Sequence, residues 1–181
     1  MKIEIAKLSS ILLIDDDIDL LDMLAETMLK NFLHVYKADS AKKGIEMLHL
    51  HSVDCVVVDF KMPYMDGGQF AKFASAYFSL IPVILLTGSA ITPKVLECLD
   101  YNVFDIVMKP YHEELLINTI QNSIVSSRYI KLLMALSEST FIEFDKDDYF
   151  KLKKEQRTKF LAQLEHMLRT NLAAAKAIKN S

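Results

Sequence analysis

Glycine and proline are scarce in this chain, with four of each in 181 residues, and cysteine is scarcer, with two. With 51% hydrophobic and 25% charged residues as well, no tract has the composition of a disordered segment. Cys55 and Cys98 lie far apart and form no CxxC or Cys/His cluster, so they read as buried thiols in a reducing compartment. The five histidines are likewise not at metal-ligand spacing. Long apolar runs are missing too. The short run Ile11 to Ile14 meets three aspartates, which excludes an ordinary signal peptide, and nothing approaches the length of a membrane span. A cytoplasmic location is expected. Arginine is absent from residues 1–125, where 10 lysines face 17 acids for a net −7; residues 126–181 hold 11 basic residues against 7 acids, a net +4. An acidic body therefore carries a basic tail. The tail's charges alternate in sign, which reads as a solvated helical face in preference to a nucleic-acid contact.

The length allows one domain with a sizeable core and an extension too short to be a second ordinary domain. Apolar runs at Ile11–Ile14, Val53–Val58 and Pro82–Leu86, with weaker ones at Leu33–Tyr36 and Val103–Met108, read as strands. Between them Ile18–Lys30, Ala41–Leu50, Gln69–Tyr77 and Thr92–Leu99 have helical periodicity, and a long helical segment starts at Glu113. Continuous apolar strands alternating with helices predict a doubly wound, five-stranded parallel sheet covered on both faces, an α/β fold of the flavodoxin-like (βα)5 kind. A C-terminal helical extension follows it.

In such a sheet, ligands sit at the carboxyl ends of the strands. Strand one is followed by Asp15 and Asp16, strand three ends on Asp59, strand four on Thr87, and Lys109 follows strand five. Right-handed crossovers would gather them at one edge. Each has an ordinary explanation: Asp15 to Asp17 as helix caps, Thr87-Gly88 as a strand end, Lys109-Pro110 as a surface turn. Caps do not explain their joint occurrence at four strand ends, which points to a phosphoacceptor pocket. Clustered carboxylates need a counter-charge, and Mg²⁺, which keeps several waters, fits best. Asp59 would then be an oxygen nucleophile towards phosphorus, with the metal and Lys109 neutralising the transferring group and Thr87 donating its hydroxyl to it.

The stretches ILLIDDD, VVVDFKMPYMDG, IPVILLTG and FDIVMKP occur in that order, and residues 9–125 resemble the CheY-like receiver domain of bacterial two-component response regulators. The resemblance implies that Asp59 accepts a phosphoryl group from a phosphohistidine of a sensor histidine kinase or phosphotransfer protein. It implies that Asp16 and Asp59 bind Mg²⁺, that Asp15 assists through water, and that the Lys61 carbonyl completes the metal site. Thr87 and Lys109 are the implied phosphoryl contacts. Pro63 and Gly67 are expected to hold the loop after Asp59 in one shape. Three features depart from the family pattern. Ile106 stands where receivers usually place an aromatic switch residue, Tyr101-Asn102 replaces the usual Gly-Ala pair, and Gly88 replaces a more common Ala. Lys61 adds a cation beside the pocket and is expected to alter the lifetime of the phosphoryl group.

Leu116, Ile120, Ile124, Ile130, Leu133 and Leu136 predict a fifth helix running on past residue 125 into the extension, 126–181. A break is expected near Ser137 to Asp148. A basic amphipathic segment then runs from Lys151 to Lys179, with Leu161, Leu164, Leu168, Leu172 and Ala175 at spacings of three and four. Two such hairpins would make a four-helix bundle, so a homodimer through the C-terminal helices is expected. Within that segment KFLAQLEHMLRTNL resembles the phosphohistidine (dimerisation) box of sensor histidine kinases, which would make His166 the phosphorylated residue. Met167 and Asn171 depart from that box, and no Gly-rich ATP-binding domain follows before Ser181, so no kinase activity is expected. Two other readings stand beside a phosphorelay receiver: the front part of a hybrid histidine kinase, and a phosphorylation-independent interaction module, which Ile106 favours. DNA binding comes last, since no helix-turn-helix pattern is visible after residue 125.

Overall fold

Side chains that alternate across a strand need cover on both sides when its interior is apolar throughout, and the central strands here are of that kind. The computed structural model describes residues 7–88 and 90–139, with 149, 152, 156, 159, 160, 162 and 163 beyond them. The elements run β1 (Ser10–Ile14), α1 (Ile18–Leu29), β2 (His34–Ala38), α2 (Ala41–Leu50), β3 (Cys55–Asp59), α3 (Gly67–Tyr77), β4 (Val83–Thr87), α4 (Pro93–Glu97), β5 (Val103–Met108) and α5 (Glu113–Ser139). All strand pairs are parallel and the order is β2-β1-β3-β4-β5, the doubly wound arrangement expected from the sequence.

β1, β3 and β4 are buried at every residue. Alternate side chains feed two cores. Ile11, Leu13, Val57, Ile84 and Leu86 pack with Leu21, Leu24 and Met28 of α1 and Leu116, Ile120 and Ile124 of α5. Leu12, Ile14, Val56, Val58 and Leu85 pack with Leu48 of α2 and Phe70, Ala71 and Ala74 of α3. The buried residues of α1 recur at the three- and four-residue spacing that lines one helical face.

Local chemistry sets the boundaries. Asp17, Asp66 and Thr92 cap α1, α3 and α4, each accepting a hydrogen bond from a backbone N–H three residues on. Asp66 and Gln69 form a reciprocal capping box, so α3 begins at Gly67, two residues before the periodicity predicts. The fourth helix is shorter than its periodicity, its last turn tightening into a 3₁₀ turn, Cys98–Asp100, before Asn102 in a left-handed conformation.

The chain divides into two compact units, residues 1–131 and 132–181. Within the first, α5 stays attached beyond residue 125. The Ser127 hydroxyl donates to the Leu80 carbonyl, Arg128 Nη2 donates to Ser9 Oγ at 2.9 Å and lies 3.4 Å from Asp54 Oδ1, and Ile130 is buried. In the second, Leu133 and Tyr149 are buried, and the rings of Tyr149 and Phe160 lie 5.7 Å apart. Among the described residues no helix is long and apolar enough to cross a membrane. Most of the expected basic helix, with Leu161, Leu164, His166, Leu168, Leu172 and Ala175, lies outside the described residues.

Candidate functional site

Because the sheet is parallel, the ends of β1, β3, β4 and β5 face one edge. Asp59 closes β3 in register with Leu86, and the next amide, of Phe60, donates to the Leu86 carbonyl at 2.7 Å. The Lys109 amide donates to the Thr87 carbonyl at 2.7 Å, which sets the lysine just beyond the end of β4. From there Lys109 Nζ donates to Asp59 Oδ1 at 2.5 Å and to Asp15 Oδ2 at 2.8 Å. The other oxygens are held by backbone. The Lys61 N–H donates to Asp59 Oδ2 at 2.6 Å, and the Asp17 N–H to Asp15 Oδ1 at 3.0 Å.

Two buried carboxylates thus share one ammonium. Asp15 and Asp59 are 5% and 7% exposed. Burial raises the proton affinity of Asp59 more than the Lys109 ammonium and the Lys61 amide lower it. Burial works against the charge on Lys109, but its bonds to Asp15 and Asp59 outweigh it and hold the proton more tightly than in a free lysine. Thr87 is buried at the end of β4, one residue past the partner of Asp59. The three consecutive aspartates divide their work: Asp15 enters the pocket, Asp17 caps α1, and Asp16 is exposed between them. The side chain of Lys61 is exposed while its amide faces Asp59. Ile106 is half-buried on β5 and packs with the second core. His166 lies outside the described residues.

Beside Lys109 an apolar groove of about 540 Å³ runs along α1, lined by Leu20, Met23 and Leu24 and closed by Pro110, Tyr111 and Glu113. Burial raises the Tyr111 hydroxyl above its ordinary value. Across the pocket, the loop after Asp59 returns to the strand through Gly67, whose N–H donates to the Phe60 carbonyl at 3.0 Å. A Cβ on Gly67 would collide with the Asp59 carbonyl oxygen and lie 3.0 Å from Phe60 Cα. Glycine is needed there for close approach. The left-handed residue of the loop is Tyr64, with φ of 65° and a fully exposed side chain.

Among the described residues no three His, Cys, Asp or Glu side chains form a ready-made cation cage. Mg²⁺ does not ask for one: it takes one or two carboxylates and keeps several waters. Asp15 and Asp59 with one ammonium retain a net negative charge, every side-chain donor is a hard oxygen, and Asp16 stands next to them in sequence. The residues fit such an ion.

The sequence pattern of the response regulator receiver domain matches residues 11–121. The chain belongs to the response regulator receiver domain family. Its place is therefore in phosphorelay signalling. The receiver is 30% identical over 121 residues to the transcriptional regulatory protein GlrR of Escherichia coli (strain K12), covering 67% of this chain and 27% of that protein. It is 30% identical over 114 residues to the transcriptional regulatory protein FixJ of Bradyrhizobium diazoefficiens, covering 63% of this chain and 56% of that one. The match thus spans about a quarter of GlrR and about half of FixJ. Among solved structures, a response regulator receiver domain protein from Clostridium thermocellum superposes with a TM-score of 0.63 at 26% identity, covering 70% of this chain and 99% of that one.

Sequence reasoning did not find two features of this receiver. Asp15 bonds Lys109 directly, whereas the resemblance gives it a water-mediated metal role. Lys94 of α4 bonds Asp66 at 2.7 Å across 28 residues, and no local pattern signals that contact.

Proposed function

We propose that the chain accepts a phosphoryl group on Asp59 from a phosphohistidine of a sensor histidine kinase or phosphotransfer protein, and signals through protein contacts. The observation that carries this reading is the Asp59 carboxylate, buried at a strand end and joined to Asp15 through one lysine. In the transfer, an Asp59 oxygen forms a bond to phosphorus as the phosphorus–nitrogen bond of the donor breaks. The imidazole leaves with the electron pair and takes up a proton from solvent. Lys109 moves its ammonium from Asp59 Oδ1 to an oxygen of the incoming group, the Lys61 amide keeps the carboxylate oriented, and Thr87 donates its hydroxyl to the aspartyl phosphate. Mg²⁺, which Asp15, Asp16, Asp59 and the Lys61 carbonyl would hold, supplies Lewis-acid neutralisation of the phosphoryl oxygens.

The residues of this pocket accept a phosphoryl group and do not themselves bind ATP. The proposal places the protein in the cytoplasm, a reading that two free, buried thiols support. It also makes the protein a homodimer through its C-terminal helices, on the strength of the leucine spacing from Leu161 to Leu172. The phosphohistidine role of His166 rests on its sequence motif, and radiolabel transfer to His166→Gln tests it.

The deciding experiment is light scattering in Mg²⁺ with and without beryllofluoride, a mimic of the phosphoryl group, with Asp59→Asn as control. A change of mass or shape in the wild type alone supports both the acceptor and its readout. A constant dimer in every sample means that the tail dimerises independently of Asp59, and a constant monomer removes the dimer.

A further inference from the structure

The loop from Phe60 to Asp66 carries Asp59's second hydrogen-bond donor, the Lys61 amide, so its shape determines how that carboxylate is presented. Its apolar side chains are anchored, with Met62 buried in the second core and Phe60 and Met65 packed against it, but the tip is strained. The Met65 N–H donates to the Pro63 carbonyl at 2.7 Å and the Gly67 N–H closes onto Phe60, while Tyr64 at the tip occupies a left-handed conformation that costs a non-glycine residue energy. The core holds the loop's apolar side chains, and the flanks of its strained tip gain from a further hold at the two ends.

Lys94 touches both ends. Its ammonium donates to Asp66 Oδ2 at 2.7 Å, and it lies 5.9 Å from the centre of the Phe60 ring. Asp66 closes the loop as the cap of α3, and Phe60 opens it directly after the acceptor. The lysine has a firm base. Val95 on the same short helix and Cys98 at the start of the 3₁₀ turn that follows it are buried, and Cys98 packs so closely on the α3 glycine, Gly68, that a Cβ there would lie 2.8 Å from its sulfur. A second lysine, Lys72 of α3, lies 5.6 Å from the Tyr101 ring just past the 3₁₀ turn, so the α3–α4 contact is stapled from both sides. Burial alone would raise Asp66, but Lys94 and the Gln69 and Gly68 amides hold its carboxyl below the usual range, as expected for a charge in constant use.

We propose that Lys94 is a positioning residue for phosphoryl acceptance: by clamping Phe60 and Asp66 it holds the β3–α3 loop in the shape that keeps the Lys61 amide on Asp59. The inference rests on the reading of Asp59 as phosphoacceptor. It makes α4 part of the acceptor's own support, on the side of the fold where Ile106 replaces the aromatic residue usual in receivers.

An exposed ion pair and a cation–π contact are each weak, so the effect is local and modest. The test compares wild type, Lys94→Met, Lys94→Arg and Asp66→Asn in two measurements: amide hydrogen exchange by NMR without Mg²⁺ or donor, and the rate of phosphoryl uptake from acetyl phosphate in Mg²⁺. In Lys94→Met the Lys61 and Gly67 amides exchange about two- to fivefold faster and uptake slows by a similar factor. Exchange in the sheet core stays as in wild type, and Lys94→Arg restores both readouts. Wild-type exchange at Lys61 and Gly67 in Lys94→Met overturns the inference. So does a uniform rise across the core, which would report general loosening, and so does failure of arginine to rescue. If the wild type takes up no phosphoryl group, the acceptor reading falls, and the exchange data still decide whether Lys94 holds the loop.

Discussion

Lys109 separates two carboxylates that would otherwise repel each other in a poorly hydrated pocket. Replacing it by methionine keeps the stem and removes the charge, leaving Asp15 and Asp59 buried without their shared partner. Lys109→Met is expected to cost about 1.5–3 kcal/mol of folding stability, the range for lost bonds to charged groups, measured by urea unfolding. Asp59→Asn in the same background removes the repulsion and recovers part of that loss, so the two changes are not additive. Gly67→Ala forces backbone against backbone at Asp59 and costs about 1–3 kcal/mol, whereas Gly88→Ala, with open space around the new methyl, stays near neutral. At this scale the sequence was legible wherever a polar residue ended an apolar strand, which is why Asp15, Asp59, Thr87 and Lys109 stand out. It was not legible for Tyr64, because left-handed backbone is ordinarily signalled by Gly or Asn. The Lys94–Asp66 contact was hidden because its partners are brought together only by the packing of α4 on α3.

Helix caps carry the same lesson at the scale of elements. The hydrophobic runs located all five strands, but periodicity placed the start of α3 too late, because the cap and the two glycines after it have no apolar face to contribute. It also carried α4 on to Leu99, where the last turn is 3₁₀ and Cys98 packs against Gly68. Asp66 is the cap with a measurable signature. Asp66→Ala is expected to cost about 1 kcal/mol, whereas Asp66→Asn keeps the cap and loses only the charge. The Asp66 carboxyl is held below its ordinary value in the folded protein, so its charge stabilises the fold at pH above the unfolded value and ceases to as pH falls through the folded one. The stability difference between wild type and Asp66→Asn should therefore be constant above about pH 5 and shrink below about pH 4. A difference that persists unchanged at pH 2.5 would mean that the ion pair with Lys94 contributes nothing.

For the whole molecule, charge asymmetry and the long apolar spacing of α5 predict a body and an extension, but not how far the body's own contacts reach along that helix. Arg128 is the clearest case: as the first arginine in the chain it reads as the start of a basic tail, yet it bonds Ser9 and approaches Asp54, at the opposite edge of the sheet from Asp59. Ser127 bonds the Leu80 carbonyl as well, so the helix stays tied to the receiver for about a turn beyond Val125. A chain ending at Lys131 should thus unfold cooperatively and still change its spectrum with beryllofluoride and Mg²⁺. Ending it at Val125 removes the bonds of Ser127 and Arg128, a loss of about 1–3 kcal/mol from hydrogen bonding. Urea denaturation of the two truncated chains measures it. Equal midpoints would show that residues 126–131 only lie against the receiver, and the extension would then begin just after Val125. A lowered midpoint with beryllofluoride binding intact would place those residues inside the folding unit while leaving the acceptor pocket, at the far edge of the sheet, independent of them.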